Sequence, residues 1–389
     1  MVGSTTAGAG ATTPPPADSG LRIAFVSPTV AGARPFVDDG NRWPLALART
    51  LTHQHPDWTV EMVTFGPSAT STPLAERLVH TVLAHDPTAQ PDAWGLVDEA
   101  SWQLPGVLGR ADLVHVFQPL TRTGEVSVLA ARALGSAVVA SEAGLRSSQL
   151  GASLGLLELA DRVVCTSEFG RSTLPATDRA VVVPGGVDTG YFAPGRPTDH
   201  RAHLLFAGRL LPQAGVDRVI DVLPDHMSLV VCGRAGHTDY VRRLTRRARG
   251  KAVEFVTDAD DEELRRLYRH AWATVHPAVY RDCFGDVHQQ PGLMGLTVLE
   301  SMACATPAIV SDVGALPELV DHGVTGVVTS SLEELEKALH SVYAERGRSI
   351  RMGLEARRRV VERFSVERQA AAIGGIYTRA VAHRRSVRS

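Results

Sequence analysis

The 389-residue chain has no apolar run of about 18 residues, and its mean hydropathy is close to zero, so no helical membrane span is expected. It also lacks a GxxxxGK[ST] loop and a GxGxxG turn between a strand and a helix; VCGRAG, Val231 to Gly236, comes nearest but has the wrong spacing. These absences argue against a P-loop NTPase and a nicotinamide dehydrogenase. Four cysteines, Cys165, Cys232, Cys283 and Cys304, are scattered without CxxC or Cys/His spacing. Three lie in apolar segments as small buried hydrophobes of a reduced, cytoplasmic protein, and Cys283 lies in a loop. No Asp-x-Asp motif with metal-ligand character is apparent, so no metal and no resident cofactor are expected. The first twenty residues have neither a basic start nor an apolar centre, and read as a disordered tail rather than a signal peptide.

Lysine is missing from residues 1–190, which carry 18 Asp and Glu against 12 Arg, a net −6; the remainder is +4. The split fits an anionic ligand in the second half and a neutral or cationic one in the first, although a solvated surface gives the same numbers. The basic run Arg242 to Lys251 is interrupted by Leu244 and Ala248 at helical spacing, with Val241 just before it. It reads as a solvated helix face, not a nucleic-acid footprint.

What is present is an alternation of strands and helices, which predicts an α/β chain of two facing doubly wound, Rossmann-like domains with a cleft between them. In the first domain, residues 21–190, strands are expected at LRIAFVS, WTVEMVTFG, ADLVHVF, SAVVASE, DRVVCTS and AVVVPGGV. Helices are expected at Pro44–His53, Leu74–Leu83, Glu125–Leu134 and Leu150–Ala160. A Gly/Pro-rich linker spans roughly Gly185 to Arg201. The second domain, residues 201–365, repeats the alternation, and its last predicted helix begins near Leu332 with Ser331 and Glu334 spaced as a capping box. Ligands of such sheets bind beyond the carboxyl ends of the strands.

The stretch Gly292 to Val310 concentrates the chemistry. A tight loop, Met294-Gly295-Leu296-Thr297, enters a helix whose apolar face carries Leu296, Leu299, Met302 and Ala303. Free N–H groups and the positive dipole end make a phosphate site there, and Gly295 permits close approach of a ligand. Glu300, one turn inside, is placed to accept hydrogen bonds from ribose hydroxyls; an ordinary helix with a surface glutamate is the alternative. Gly208 and Arg209 follow the first strand of the second domain, where a guanidinium can clamp a diphosphate or serve a structural ion pair.

The segments FAGRLLPQAGVDRVI, GLMGLTVLESMACATPAIVSDVGALPELV, VVVPGGVDTGYFAP, ADLVHVFQP and ERFSVERQAAAIGGIY together resemble the retaining GT-B nucleotide-sugar glycosyltransferases of the family 4 type, over roughly Leu21 to Tyr377. The resemblance implies that Arg209 holds the donor diphosphate. It implies that the backbone at Met294, Gly295, Leu296 and Thr297 holds sugar hydroxyls and phosphate, that Glu300 binds ribose, and that Gly40 approaches the phosphates. It places His115 on the acceptor side and sends a last helix, residues 366–385, back to the first domain. It further implies a front-face displacement that retains configuration, with Arg209 and His115 as the catalytic pair and a UDP-sugar favoured as donor. Three positions depart from the family pattern: Ala214 replaces a lysine, Gly292 a glutamate and Phe117 a second histidine. A degenerate protein that binds nucleotide sugar without turnover is the reading of another class.

For the acceptor, Asp38, Asp39 and Glu142 on the acidic first domain point to a small polar, cationic molecule. HVFQPLTRTGE and PGLMGLTVLE are more weakly similar to actinomycete transferases that glycosylate aminocyclitol pseudodisaccharides in aminoglycoside assembly. A glycolipid, storage sugar or thiol precursor is the alternative product. The sequence does not specify an oligomeric state.

Overall fold

A computed structural model describes residues 20–30, 39–85, 101–142, 153–174, 177–196, 201–292 and 294–388; the side chains at 29, 30, 39–41 and 388 lie outside the description. The tail reading for residues 1–20 and the acceptor residue Asp38 fall outside these residues, apart from Gly20.

The first sheet has eight strands: β1 (Arg22–Val30), β2 (Thr59–Gly66), β3 (Thr70–Ala75), β4 (Leu78–Ala84), β5 (Leu113–Phe117), β6 (Ala137–Glu142), β7 (Arg162–Cys165) and β8 (Ala180–Val182). Their order is β3-β4-β2-β1-β5-β6-β7-β8, parallel except for β3 on β4. The strands alternate inward residues between two faces, as the two-residue period demands. Ile23, Phe25, Leu113 and Val139 pack under the Asp39–Gln54 helix and the final helix, Val366–Arg388, against Trp43, Leu47, Ile373 and Tyr377. Ala24, Val26, Val114, Val116 and Val138 face the other way, against Leu104, Leu108, Val128 and Leu156.

The second sheet is β9 (His203–Ala207), β10 (Leu229–Cys232), β11 (Val253–Val256), β12 (Ala271–His276), β13 (Ala308–Ser311) and β14 (Gly326–Thr329). It is wholly parallel in the order β11-β10-β9-β12-β13-β14. The chain therefore changes direction across the sheet between β9 and β12, and in the first sheet between β1 and β5. These are the points where an open α/β sheet leaves a crevice for a ligand. One apolar cluster runs from Phe25 and Trp43 through Phe192 to Leu299 and Val360, so the two sheets share a core across the linker.

One predicted helix is absent, and a second is only partly described. Leu74–Leu83 forms the end of β3, a Glu76-Arg77 turn and most of β4, with Val60↔Leu78 through Gly66↔Ala84 paired in register. Leu, Ala and Glu lent the segment helical character, but Val79, Thr81 and Val82 are β-branched, and pairing with β2 overrides the local preference. Thr70, Pro73 and the rest of β3 form an exposed edge, where a proline costs no ladder bond. The predicted helix Leu150–Ala160 begins outside the described residues; within it Ser153 is helical, and Gly155 at φ 67° ends the right-handed run before a 3-10 turn at Leu156–Leu159.

Candidate functional site

The second sheet's crevice is built by glycines at its strand ends. Gly208 donates its N–H to the Cys232 carbonyl at 3.0 Å, and a Cβ on Gly233 would stand 1.7 Å from the Gly208 oxygen. Only two glycines allow β9 and β10 to close so tightly as they leave the sheet, and this sets the half-buried Arg209 at the crevice rim. Across the switch, β12 ends in His276. It is buried beside Phe206, among the described residues its Nε2 has no hydrogen-bond partner, and burial pushes its pKa down to about 4.

Residues 277–292 lead the chain towards the Leu296–Ala303 helix. Asp282 organises this loop, its buried carboxylate accepting from the Phe284 and Asp286 N–H groups and pairing with His288 Nε2 at 2.7 Å. Gly292 (φ 66°) and Gly295 (φ 59°) are both left-handed. A Cβ at Gly295 would come within 2.3 Å of Leu319 Cδ1, so the residue that opens the Leu296–Ala303 helix has to be glycine. Met294, Leu296 and Thr297 are all buried as the helix begins.

Glu300 is 0 % exposed. Its Oε1 accepts from Arg42 Nη1 at 2.5 Å and its Oε2 from the Tyr268 hydroxyl at 2.9 Å. Arg42 comes from the first-domain Asp39–Gln54 helix; its other arm reaches Asp261 Oδ1 at 2.7 Å, and its guanidinium lies 5.8 Å from the Phe192 ring. Burial works against this charge, but Glu300 and Asp261 outweigh it and raise the pKa above the ordinary arginine value. Burial, reinforced by Glu300, also raises Tyr268 and keeps its phenol protonated as a donor. The carboxylate read from sequence as a ribose acceptor thus closes a tie between the two domains. A second tie is Glu318, whose carboxylate accepts from the Glu168 and Phe169 N–H groups at 2.9 and 2.7 Å, at the start of the first-domain helix Glu168–Ser172.

Of the other sequence candidates, Gly40 and Asp39 open the Asp39–Gln54 helix two and three residues before Arg42. Glu142 ends β6 and is buried. His115 is completely buried in β5, bonded through Nδ1 to the Tyr377 hydroxyl of the final helix and through Nε2 to Ser141 Oγ at 2.7 Å. Burial lowers its pKa to about 3, so it is neutral and ties β5 and β6 to that helix. Phe117 stacks on the His115 ring at 4.2 Å, and Ala214 sits in a 3-10 turn closed by Gly215. Arg209, Gly208, Gly292, Gly295, Thr297 and Glu300 come together at one end of the second sheet; His115 lies inside the first. Among the described residues no three His, Cys, Asp or Glu side chains form a cation-ligating group.

Nothing in the local sequence pattern assigns a role to Arg42, Asp261, Tyr268 or Glu318. Asp261 and Tyr268 lie on one helix, Asp261–His270, but Asp261 meets Arg42 from 219 positions away and Tyr268 meets Glu300 from 32. No local spacing signals either contact.

The sequence profile of the family described as "Glycosyl transferases group 1" matches residues 191–359. The chain is 30% identical over 254 residues to the lipopolysaccharide core biosynthesis mannosyltransferase LpcC of Rhizobium leguminosarum bv. viciae, covering 59% of this chain and 68% of that protein. It spans 46–60% of the length of four other curated relatives it matches. Among solved structures it is similar to sucrose-phosphate synthase from Thermosynechococcus elongatus, with a TM-score of 0.72 at 20% identity over 93% of this chain and 100% of that one. It is also similar to Anabaena Alr3699/HepE in complex with UDP and glucose, with a TM-score of 0.70 at 17% identity over 92% and 99%. At these identities the two structures establish the shared GT-B fold.

Proposed function

Because this chain belongs to the group 1 glycosyl transferases, we propose that it moves a sugar from a nucleotide-diphosphate sugar to a hydroxyl of a small polar acceptor. The observation that carries the reading is the convergence, at the carboxyl ends of β9 and β12, of Arg209, the left-handed Gly292 and Gly295, and the start of the Leu296–Ala303 helix, with Glu300 one turn inside. The helix start and the guanidinium receive the diphosphate, and Glu300 receives the ribose once Arg42 has withdrawn. UDP is the favoured nucleotide; the UDP complex of the structurally similar Anabaena protein supports that choice.

In the proposed step the acceptor oxygen attacks C1 on the face the diphosphate leaves. The C1–O bond to phosphate breaks, its electron pair stays on the departing oxygen, and that phosphate takes the acceptor proton. Configuration is retained. Arg209 and the helix N–H groups stabilise the charge that grows on the leaving group, and no metal is assigned a role. His115 acts as a positioning residue through β5 and β6.

The acidic first domain, net −6 over residues 1–190, favours a cationic acceptor such as an aminocyclitol. A glycolipid or storage-sugar acceptor is the second reading, favoured by the similarity to a lipopolysaccharide core transferase. The deciding experiment incubates the purified chain with a panel of nucleotide sugars against aminocyclitols, lipid acceptors and oligosaccharides, and reads product mass. Turnover with an aminocyclitol supports the first acceptor class, and exclusive use of lipids rejects it. Nucleotide binding without turnover on any pair moves the chain to the binding-only class.

A further inference from the structure

The amino ends of the second sheet, opposite the crevice, border a cavity of about 810 Å³. Ala202, Ser228, Ala252 and Trp272, at or just before the starts of β9, β10, β11 and β12, form one wall, and Ala305, just past the end of the Leu296–Ala303 helix, another. A five-residue parallel strand rises about 3.3 Å per residue, which separates this cavity from Gly208 and Arg209 by roughly 15 Å. It is therefore a different place from the donor crevice.

Its lining is cationic and aromatic. Arg201 donates to the Ala271 and Ala305 carbonyls at 2.6 and 2.8 Å, and Arg269 Nε donates to the Ala193 carbonyl at 2.8 Å. Arg346 lies over Trp272 and Tyr343, 5.0 and 5.3 Å from their ring centroids. Among the described residues, none of these three arginines meets a carboxylate within ion-pair distance, and Asp225 is the one acidic residue of the lining. Elsewhere in the chain Arg42 pairs with two carboxylates and Arg384 with Asp161 at 3.0 Å, while half-buried Arg357, like the cavity arginines, is held by carbonyls, those of Phe192 and Ala303. Carbonyl dipoles hold the cavity guanidiniums in place without cancelling their charge, and like charges on one concave wall repel. Burial depresses the Arg201 pKa with no carboxylate to oppose it. An anion in the cavity relieves both costs. The size is that of a small-molecule site, the arginines supply forked donors for a phosphoryl group, and the Trp272 and Tyr343 side chains supply flat apolar surface for the rest of the molecule.

We propose that this cavity is a second ligand site, for a small organic phosphate, held by Arg269 and Arg346 at the amino ends of the second-domain strands. The shared chemistry is a phosphoryl group; a sugar phosphate and a nucleoside monophosphate are its two sources.

The test is calorimetric titration of the full chain, with UDP present to fill the crevice, using inorganic pyrophosphate, glucose 6-phosphate and AMP as separate probes. At least one probe is expected to bind with a Kd of roughly 1 mM or tighter. Arg346→Gln and Arg269→Gln are each expected to weaken it by about tenfold, and Arg209→Ala to leave it unchanged. The sugar phosphate and AMP arms tell the two sources apart. Arg346 is exposed, so its substitution leaves the fold intact and decides the matter even where Arg269→Gln lowers stability. Absence of binding by all three probes, binding that persists undiminished in Arg346→Gln, or binding lost in Arg209→Ala each overturns the proposal. The readout is binding and not transfer, so failure here is separate from failure of the transferase reading.

Discussion

Arg42 and Glu300 set the behaviour of the site at the level of single side chains. In the proposed function, Glu300, a fully buried carboxylate bonded to a guanidinium and a phenol, receives a ribose only when one partner leaves, and Arg42, which comes from the other domain, is the partner the proposal displaces. Arg42→Met is therefore expected to have two opposed effects. It leaves Glu300 and Asp261 without their cation, which lowers unfolding stability by about 3 kcal/mol. It also removes the competitor, so UDP binds more tightly; paired thermal melts and calorimetry check both, and unchanged or weaker UDP binding sinks the exchange of partners. Arg209→Ala is expected to reduce kcat/KM by about 100-fold, since one preorganised donor to a developing oxyanion contributes on that scale. Retention of full transfer by this variant rejects the assignment of Arg209.

At the level of the element, the loop and helix from Gly292 to Ala303 explain why the missing family glutamate is not a simple deletion. Gly292 sits at φ 66°, and a Cβ there would come within 3.2 Å of Leu316 Cγ. The backbone itself has adopted a conformation that side chains disfavour by about 1–2 kcal/mol. Gly292→Glu is thus expected to lower the melting temperature without raising the transfer rate, as a coupled melt and product assay would record; a faster enzyme contradicts this account. Gly295→Ala is the more severe change, because its Cβ would overlap Leu319 as well as strain the backbone.

For the whole molecule, stability depends on keeping buried and half-buried histidines neutral. Burial lowers His115 to about 3, His203 to about 4 and His276 to about 4, against 6.5 for an unperturbed histidine. Each folded pKa is depressed, so below pH 6.5 the unfolded chain takes up protons that the folded chain refuses. Their stabilisation is complete above pH 6.5 and is lost as pH falls towards 4 and 3. His115 alone accounts for about 2 kcal/mol between pH 7 and pH 5, at 1.36 kcal/mol per unit. Thermal midpoints are expected to drop over that interval, and the drop is expected to shrink in His276→Phe, which removes one such group from a site lined by Phe206. An equal drop in that variant excludes His276 as a contributor.

The sequence by itself determined the alternation of strands and helices, the two-sheet architecture and the position of the Leu296–Ala303 helix. Those follow from local apolar patterning and from glycine, whose special backbone freedom is written into residues 292 and 295. The segment Leu74–Leu83 shows the limit: its own residues favour a helix, and only pairing with β2 makes it a strand. Tertiary structure alone decided the partners of buried charge. Arg42 and Glu300 stand 258 positions apart and meet across two domains, and His115 is a buried tie because Tyr377 returns from 262 residues away. Electrostatic energy depends on distance in space and on exclusion of water, and neither quantity is carried by spacing along a chain.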